Sequence, residues 1–108
     1  MGNIASVVIS NCTREFDKEY HYLIPDKLLD SVKPGVRVIV PFGAANRPRE
    51  AYVLSLTDST GFAGLKAIQK VLDEDPILNK DIIELVLWME ERYICTYYDA
   101  IKCVLPSG

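Results

Sequence analysis

At 108 residues, 49% apolar and 25% charged, the chain has the size and composition of one folded domain with a real core. No apolar run reaches the ~20 residues that span a bilayer, and MGNIASVVIS lacks the basic head and long apolar stretch of a signal peptide, so a cytoplasmic protein is expected. A net charge of −3, from 12 lysines and arginines against 15 aspartates and glutamates, disfavours gripping long nucleic acid by phosphate neutralisation but leaves room for a small pocket that takes one nucleotide or one strand end.

Residues 4–9 are short and β-branched, a first strand, and residues 11–15 (NCTRE) are turn-like. From 18 to 24 the pattern has period two: Tyr20, Tyr22 and Ile24 share one side, Glu19, His21 and Leu23 the other, which predicts a second strand. Pro25 ends it, and Asp26 is placed to cap a helical turn through Leu28 and Leu29. Pro34-Gly35 marks a turn. Within PGVRVIVPFG (34–43), Val36 to Phe42 then gives a third strand, with Val36, Val38 and Val40 on one face and Arg37 and Ile39 on the other. Residues 44–49, holding Asn46 and Pro48, read as a loop, 51–56 as a fourth strand and 58–64 as a polar loop. Residues 65–72 admit a fifth strand with Ile68 and Val71 inward, or a helix. Asp73, Glu74 and Asp75 read as a solvated loop before Pro76.

Asn79 is placed to cap a helix to about Tyr93. Its apolar stripe is Ile82, Val86, Met89 and Tyr93, widened by Ile83, Leu87 and Trp88, with Glu84, Glu90 and Glu91 on the wet side. Thr96 can cap a second short helix with Ala100, Ile101 and Val104 inward, and Pro106-Ser107-Gly108 reads as the start of a linker. The expected class is α+β: one domain over 1–108, a small, partly open, OB-like β-barrel of about five short strands (1–73) followed by a helical segment (79–105).

No constellation for catalysis stands out. There is no phosphate-cradling glycine loop, one histidine (His21), and three cysteines (Cys12, Cys95, Cys103) without a C-x-x-C pair. A Cys12–His21 pair lacks a third, orienting group. Neither an enzyme, a metal site nor a cofactor is expected. Tyr20, Tyr22 and Phe42 near strand ends, Gly43 with its unhindered backbone and the lone cation Lys66 could hold a single base with its sugar. Base–aromatic stacking contributes roughly 1–3 kcal/mol per base. By residue type alone the same residues fit better a set of core aromatics and a turn glycine.

The order of four segments adds to this. Tyr22-Leu23-Ile24-Pro25, then PGVRVIVPFG, then LKAIQKVLDEDPIL (65–78), then WMEERYICTYYDAIKCVLPSG (88–108) together resemble the N-terminal DNA-binding domain of the PriA family of primosomal replication-restart helicases. The resemblance covers essentially the whole chain. It implies a domain that binds the 3′ end of single-stranded or nascent leading-strand DNA at a stalled fork, through a pocket tolerant of base identity. It also implies that the chain is a fragment of a longer helicase whose ATP-driven motor and zinc-binding cysteines lie elsewhere. The positions implied are Tyr20, His21 and Tyr22 before Leu-x-Pro, Gly43 after Phe42, and Lys66. His21 departs from the aspartate common in the family. An imidazole both donates and accepts, so it could stack, bond a base edge or, when protonated, attract a phosphate.

The partners implied are forked DNA and its 3′ terminus, the rest of the helicase chain and other primosome proteins, with no membrane and a monomeric state. Two other readings carry less. A protein-interaction barrel fits the acidic balance and Tyr93, Tyr97 and Tyr98. An enzyme-barrel fragment fits only K-P-G-x-R-V-x-V, which also opens strands in zinc alcohol dehydrogenases, whose metal ligands and nucleotide fingerprint are missing here.

Overall fold

The computed structural model describes residues 3–10, 18–58, 64–92 and 97–104, leaving aside the side chains of 98, 103 and 104. Cys12, Tyr93, Cys95, Thr96 and the 106–108 segment therefore lie outside the described residues. In chain order the elements are β1 (Ile4–Ile9), β2 (Tyr20–Leu23), a 3-10 turn (Asp26–Leu28), β3 (Arg37–Phe42), β4 (Arg47–Thr57), β5 (Lys70–Val71), α1 (Lys80–Arg92) and α2 (Tyr97–Val104). The five strands form one sheet in the order β2-β1-β4-β3-β5, each pair antiparallel.

Residues 66–72 close the sheet on itself. The Leu23 N–H donates to the Lys66 carbonyl (2.8 Å) and the Ile68 N–H to the Leu23 carbonyl (3.0 Å). On the other side, Gln69 and Leu72 donate to Ile39 and Arg37 of β3 (2.8 Å each). Because this segment serves two strands in turn, only Lys70–Val71 forms a regular strand, with an isolated parallel bridge between Leu23 and Ala67. The result is the expected small, partly open barrel with helices following it.

Alternation decides what fills the barrel. Val36, Val38 and Val40 are fully buried together with Ala5, Val7, Ile9, Tyr22, Ala51, Val53 and Ile68. The opposite faces of β1 and β4 are also covered: Val8, Tyr52 and Leu54 pack against Leu78, Ile83, Val86, Ala100 and Ile101. That is why IASVVI is buried at every position, Ser6 included, since a strand covered on both faces has no wet side. The pairing of β1 with β4 skips Leu54, Ser6 lying opposite Ser55 and Val7 opposite Val53. This bulge lets Leu54 face the helices while Leu56 returns to the barrel core, and such an extra residue bends the strand toward closure.

Four expectations need correction. β4 begins at Arg47, not after residue 50. Pro48 sits in the strand directly opposite Pro41, and each lies beyond the reach of its other neighbour, β1 pairing only as far as Ala51 and β5 only as far as Ile39. A proline fits a strand where no ladder donor is required of it. The turn after β2 starts with Pro25 at its cap and no side-chain capping bond, so Asp26 lies within the turn instead of capping it. On α1, the Asn79 side chain does cap, accepting from the Ile82 N–H at 2.8 Å. Leu87 and Trp88, however, are exposed, because the contact with the barrel narrows to Ile83 and Val86, with Ile82 and Met89 at its margin. Finally, Asp73 is not a solvated loop residue. Its carboxylate accepts from the Arg37 backbone N–H (2.9 Å) and from Arg37 Nε and Nη2 (3.0 and 2.8 Å), fastening the closing segment to β3.

Two predictions follow from these contacts. Gly35 has φ +98°, donates to the Val53 carbonyl (2.7 Å) and accepts from Ile77 and Leu78. A Cβ there would collide with the Leu78 carbonyl, which is backbone and cannot swing away. Gly35→Ala should cost roughly 3 kcal/mol, combining backbone strain and overpacking, and lower the urea midpoint accordingly. The Arg37 hydrogen bonds hold the Asp73 carboxyl below its usual range. A carboxyl lowered in the folded state adds stability above its unfolded value of ~3.9 and loses it as the pH falls through the folded value. Asp73→Asn should therefore cost about 1–2 kcal/mol at neutral pH, allowing for the solvent around Arg37. The gap to the parent chain should shrink below about pH 4 in urea titrations.

Candidate nucleic-acid interface

The β3–β4 hairpin shapes one end of the barrel. Its connection, residues 43–46, needs positive φ at both ends, +77° at Gly43 and +51° at Asn46. Glycine and asparagine are the residues that adopt such angles most readily. The Gly43 carbonyl accepts the Asn46 N–H (3.1 Å), closing the turn, and also the Lys66 ammonium (2.8 Å). A carbonyl oxygen has lone pairs for both. Lys66 thus lies against the turn across a long sequence gap, because the bond from Leu23 to its own carbonyl fixes where its side chain starts.

Gly43 is exposed, and a Cβ built there would meet none of the described residues within 4 Å. Its glycine identity is thus set by the backbone path, and the space beside it is open. Next to it, Phe42 meets the Tyr20 ring edge-on, with centroids 5.2 Å apart and planes at 86°. The Arg49 guanidinium carbon lies 5.9 Å from the centre of the Phe42 ring, and its Nη2 donates to the Ser10 carbonyl (3.0 Å).

The structure therefore brings Tyr20, Phe42, Gly43 and Lys66 together at one barrel end. Tyr22 lies in the barrel interior, 5% exposed, its hydroxyl donating to the Pro41 carbonyl at 2.8 Å. Burial, with the nearby Tyr20 phenol second, pushes the Tyr22 phenol up to about 12. It ties β2 to the end of β3, and Tyr20 and Phe42 pack against the core cluster to which it belongs. His21 faces the other way. Its cross-strand partner is Ser6, whose hydroxyl bonds Glu19 (2.7 Å), and paired residues share a face. Period two along β2 thus separates the imidazole from Tyr20.

Sequence reasoning missed Arg47 and Arg49. Their signal was the turn pair at Gly43 and Asn46: once it is read as a hairpin, Phe42 falls opposite Arg47 and Val40 opposite Arg49. A groove of about 600 Å³, lined by Pro34, Leu54, Leu56, Pro76 and Ile83 among others, lies between barrel and helix and includes none of these residues. Among the described residues no group of three His, Cys, Asp or Glu side chains is placed to hold a metal ion, and no helix is long and apolar enough to cross a membrane.

Comparison with known proteins shows which family the chain belongs to. Residues 6–106 match the family model of the PriA 3′ DNA-binding domain (3′BD). The chain is 30% identical over 108 residues to the replication restart protein PriA of Bacillus subtilis, covering 98% of this chain and 13% of that protein. It is 31% identical over 107 residues to the PriA of Chlamydia muridarum, covering 95% and 14%. It is 32% identical over 92 residues to a probable PriA of Mycobacterium tuberculosis, covering 84% and 14%. The chain thus spans about one seventh of the relatives it matches. With the match running across both barrel and helices, the chain belongs to the 3′ DNA-binding domain family of PriA replication-restart proteins.

Proposed function

We propose that this domain binds the 3′ end of a DNA strand, taking the terminal nucleotide at the open end of the barrel. In this reading it serves as the fork-recognition part of a longer helicase and has no catalytic step of its own. The observation that carries the proposal is the Lys66 ammonium held 2.8 Å from the carbonyl of an exposed, uncovered Gly43, beside an aromatic pair. A strand end offers a hydroxyl, a sugar and a base that need only a small site, which suits a chain of net charge −3. Tyr20 and Phe42 supply the surface for the base, and Lys66 and the Gly43 turn face the sugar and its phosphate. Tyr22 keeps β2 and β3 in place. His21, on the other face of β2, is left to contacts outside this pocket.

Fluorescence anisotropy with short strands bearing a 3′-hydroxyl or a 3′-phosphate tests the proposal. The blocked end should bind at least tenfold more weakly, about 1.4 kcal/mol, since a site built around a hydroxyl leaves polar groups unpaired when it is replaced. Equal affinity would sink the reading. Lys66→Ala should weaken binding about fivefold to tenfold and leave the melting temperature nearly unchanged, its bond being exposed. Gly43→Asn is the more informative probe of the open space. Asparagine tolerates the positive φ that would strain a valine, so the domain should fold normally while its side chain obstructs the terminal nucleotide. Normal binding by that variant would show that the space beside Gly43 is not the pocket.

A further inference from the structure

We infer that Arg47 and Arg49 form the second half of this site, a cationic rim that takes the phosphodiester immediately 5′ of the terminal nucleotide; the inference rests on the end-binding reading above. Cross-strand partners share a face, so Arg47 stands with Phe42 and Arg49 with Val40, on the side of β4 that turns toward the barrel mouth. Arg49 is held in place, half-buried, by the Ser10 carbonyl at 3.0 Å and the Phe42 ring at 5.9 Å. A guanidinium fixed in this way presents a planar fork of donors matched to phosphate oxygens. Arg47 is exposed at the first position after the Gly43–Asn46 turn.

Among the described side chains of the hairpin, the charged ones on this face, Arg47 and Arg49, are both cationic. The one carboxylate on the hairpin, Glu50, points the other way, where it accepts from the Ser10 hydroxyl (3.1 Å) and lies 3.5 Å from Arg37. Arg47, Arg49 and Lys66 therefore border Phe42 and Gly43 with no acidic side chain of the hairpin among them, although the whole chain is acidic. The chemistry that uses an aromatic pair and adjoining cations together is a base with the phosphate next to it. Lys66 borders the open space beside Gly43, where the last nucleotide ends. The strand then leaves past Phe42, and the cations it meets there are those of β4.

The test uses labelled oligothymidylates with a 3′-hydroxyl and one uncharged methylphosphonate linkage, placed either at the last position or in the middle of the strand. With the parent chain, the terminal neutral linkage should weaken binding about fivefold and the central one should have little effect. Arg47→Gln and Arg49→Gln should each weaken the all-phosphate strand by a similar factor and be largely insensitive to the terminal neutral linkage. Each should also lower the slope of log affinity against log salt by up to about 0.7, the value for one phosphate contact on a single strand. Arg47 is exposed, so its variant reports on binding even where Arg49→Gln disturbs the hairpin. Variants that retain the parent slope and the full penalty of the neutral linkage overturn the rim, as does a penalty independent of where that linkage lies. Should the parent chain fail to distinguish 3′-hydroxyl from 3′-phosphate while the variants still flatten the slope, the end-binding reading falls and the arginines stand as strand contacts.

Discussion

Everything at the open end depends on how the barrel is closed. Residues 66–72 are too irregular to form one strand, yet they give hydrogen bonds to β2 at one end and to β3 at the other. Without that double attachment β2 would be an edge strand held only by β1. Lys66 would then have no fixed backbone from which to reach Gly43. Two side-chain bonds reinforce the closure from opposite sides: Tyr22 to the Pro41 carbonyl inside the barrel, and Asp73 to Arg37 on its rim. Neither group is exposed enough to be cheaply lost to water, so the same contacts that stabilise the fold also locate the site.

Much of this was legible in the sequence, and the reasons are local. Val36, Val38 and Val40 alternate with Arg37 and Ile39, and all three valines are fully buried. Asn79 precedes an amphipathic run and does cap it. The PriA-like order of segments holds across the family match, residues 6–106. What failed was whatever depended on a partner distant in sequence. Pro48 argues against a strand until Pro41 is known to lie across from it. Asp73 looks solvated until Arg37 is known to be its neighbour. Tyr20, His21 and Tyr22 form one motif in the sequence, but the pleat turns His21 outward, while Tyr20 and Tyr22 share the inner face, one at the mouth beside Phe42 and the other in the interior. A motif of adjacent strand residues cannot all line one pocket by their side chains, because consecutive side chains take opposite faces. Where the family motif continues through position 21, a contact from that residue to the pocket would have to come from its backbone.

The distribution of charge matters more than its sum. Taken over the chain, −3 argues against a nucleic-acid surface. The turn at Gly43 nevertheless gathers Lys66, Arg47 and Arg49, while Asp81, Glu84 and Glu91 sit exposed on α1, which packs against the far faces of β1 and β4. The acidic helix thus lies on the opposite face of β4 from the two arginines, so the local charge at the turn differs in sign from the total.

The two hydrophobic clusters give this arrangement its mechanical basis. The helices are fastened to β1 and β4 through Val8, Tyr52 and Leu54, and the barrel is filled separately by valines and Tyr22. Stability therefore resides on the central strands, and the hairpin tip at 43–46 carries none of the buried residues. A tip of that kind can be shaped by ligand requirements, provided its backbone angles are met, without weakening the core. Gly35 and Gly43 mark the two sides of this division. The first is glycine because the linker to α1 presses against it, the second because a turn must reverse with nothing over it. One position is closed by packing and the other is left open by it, and it is the open one that has room to admit a ligand.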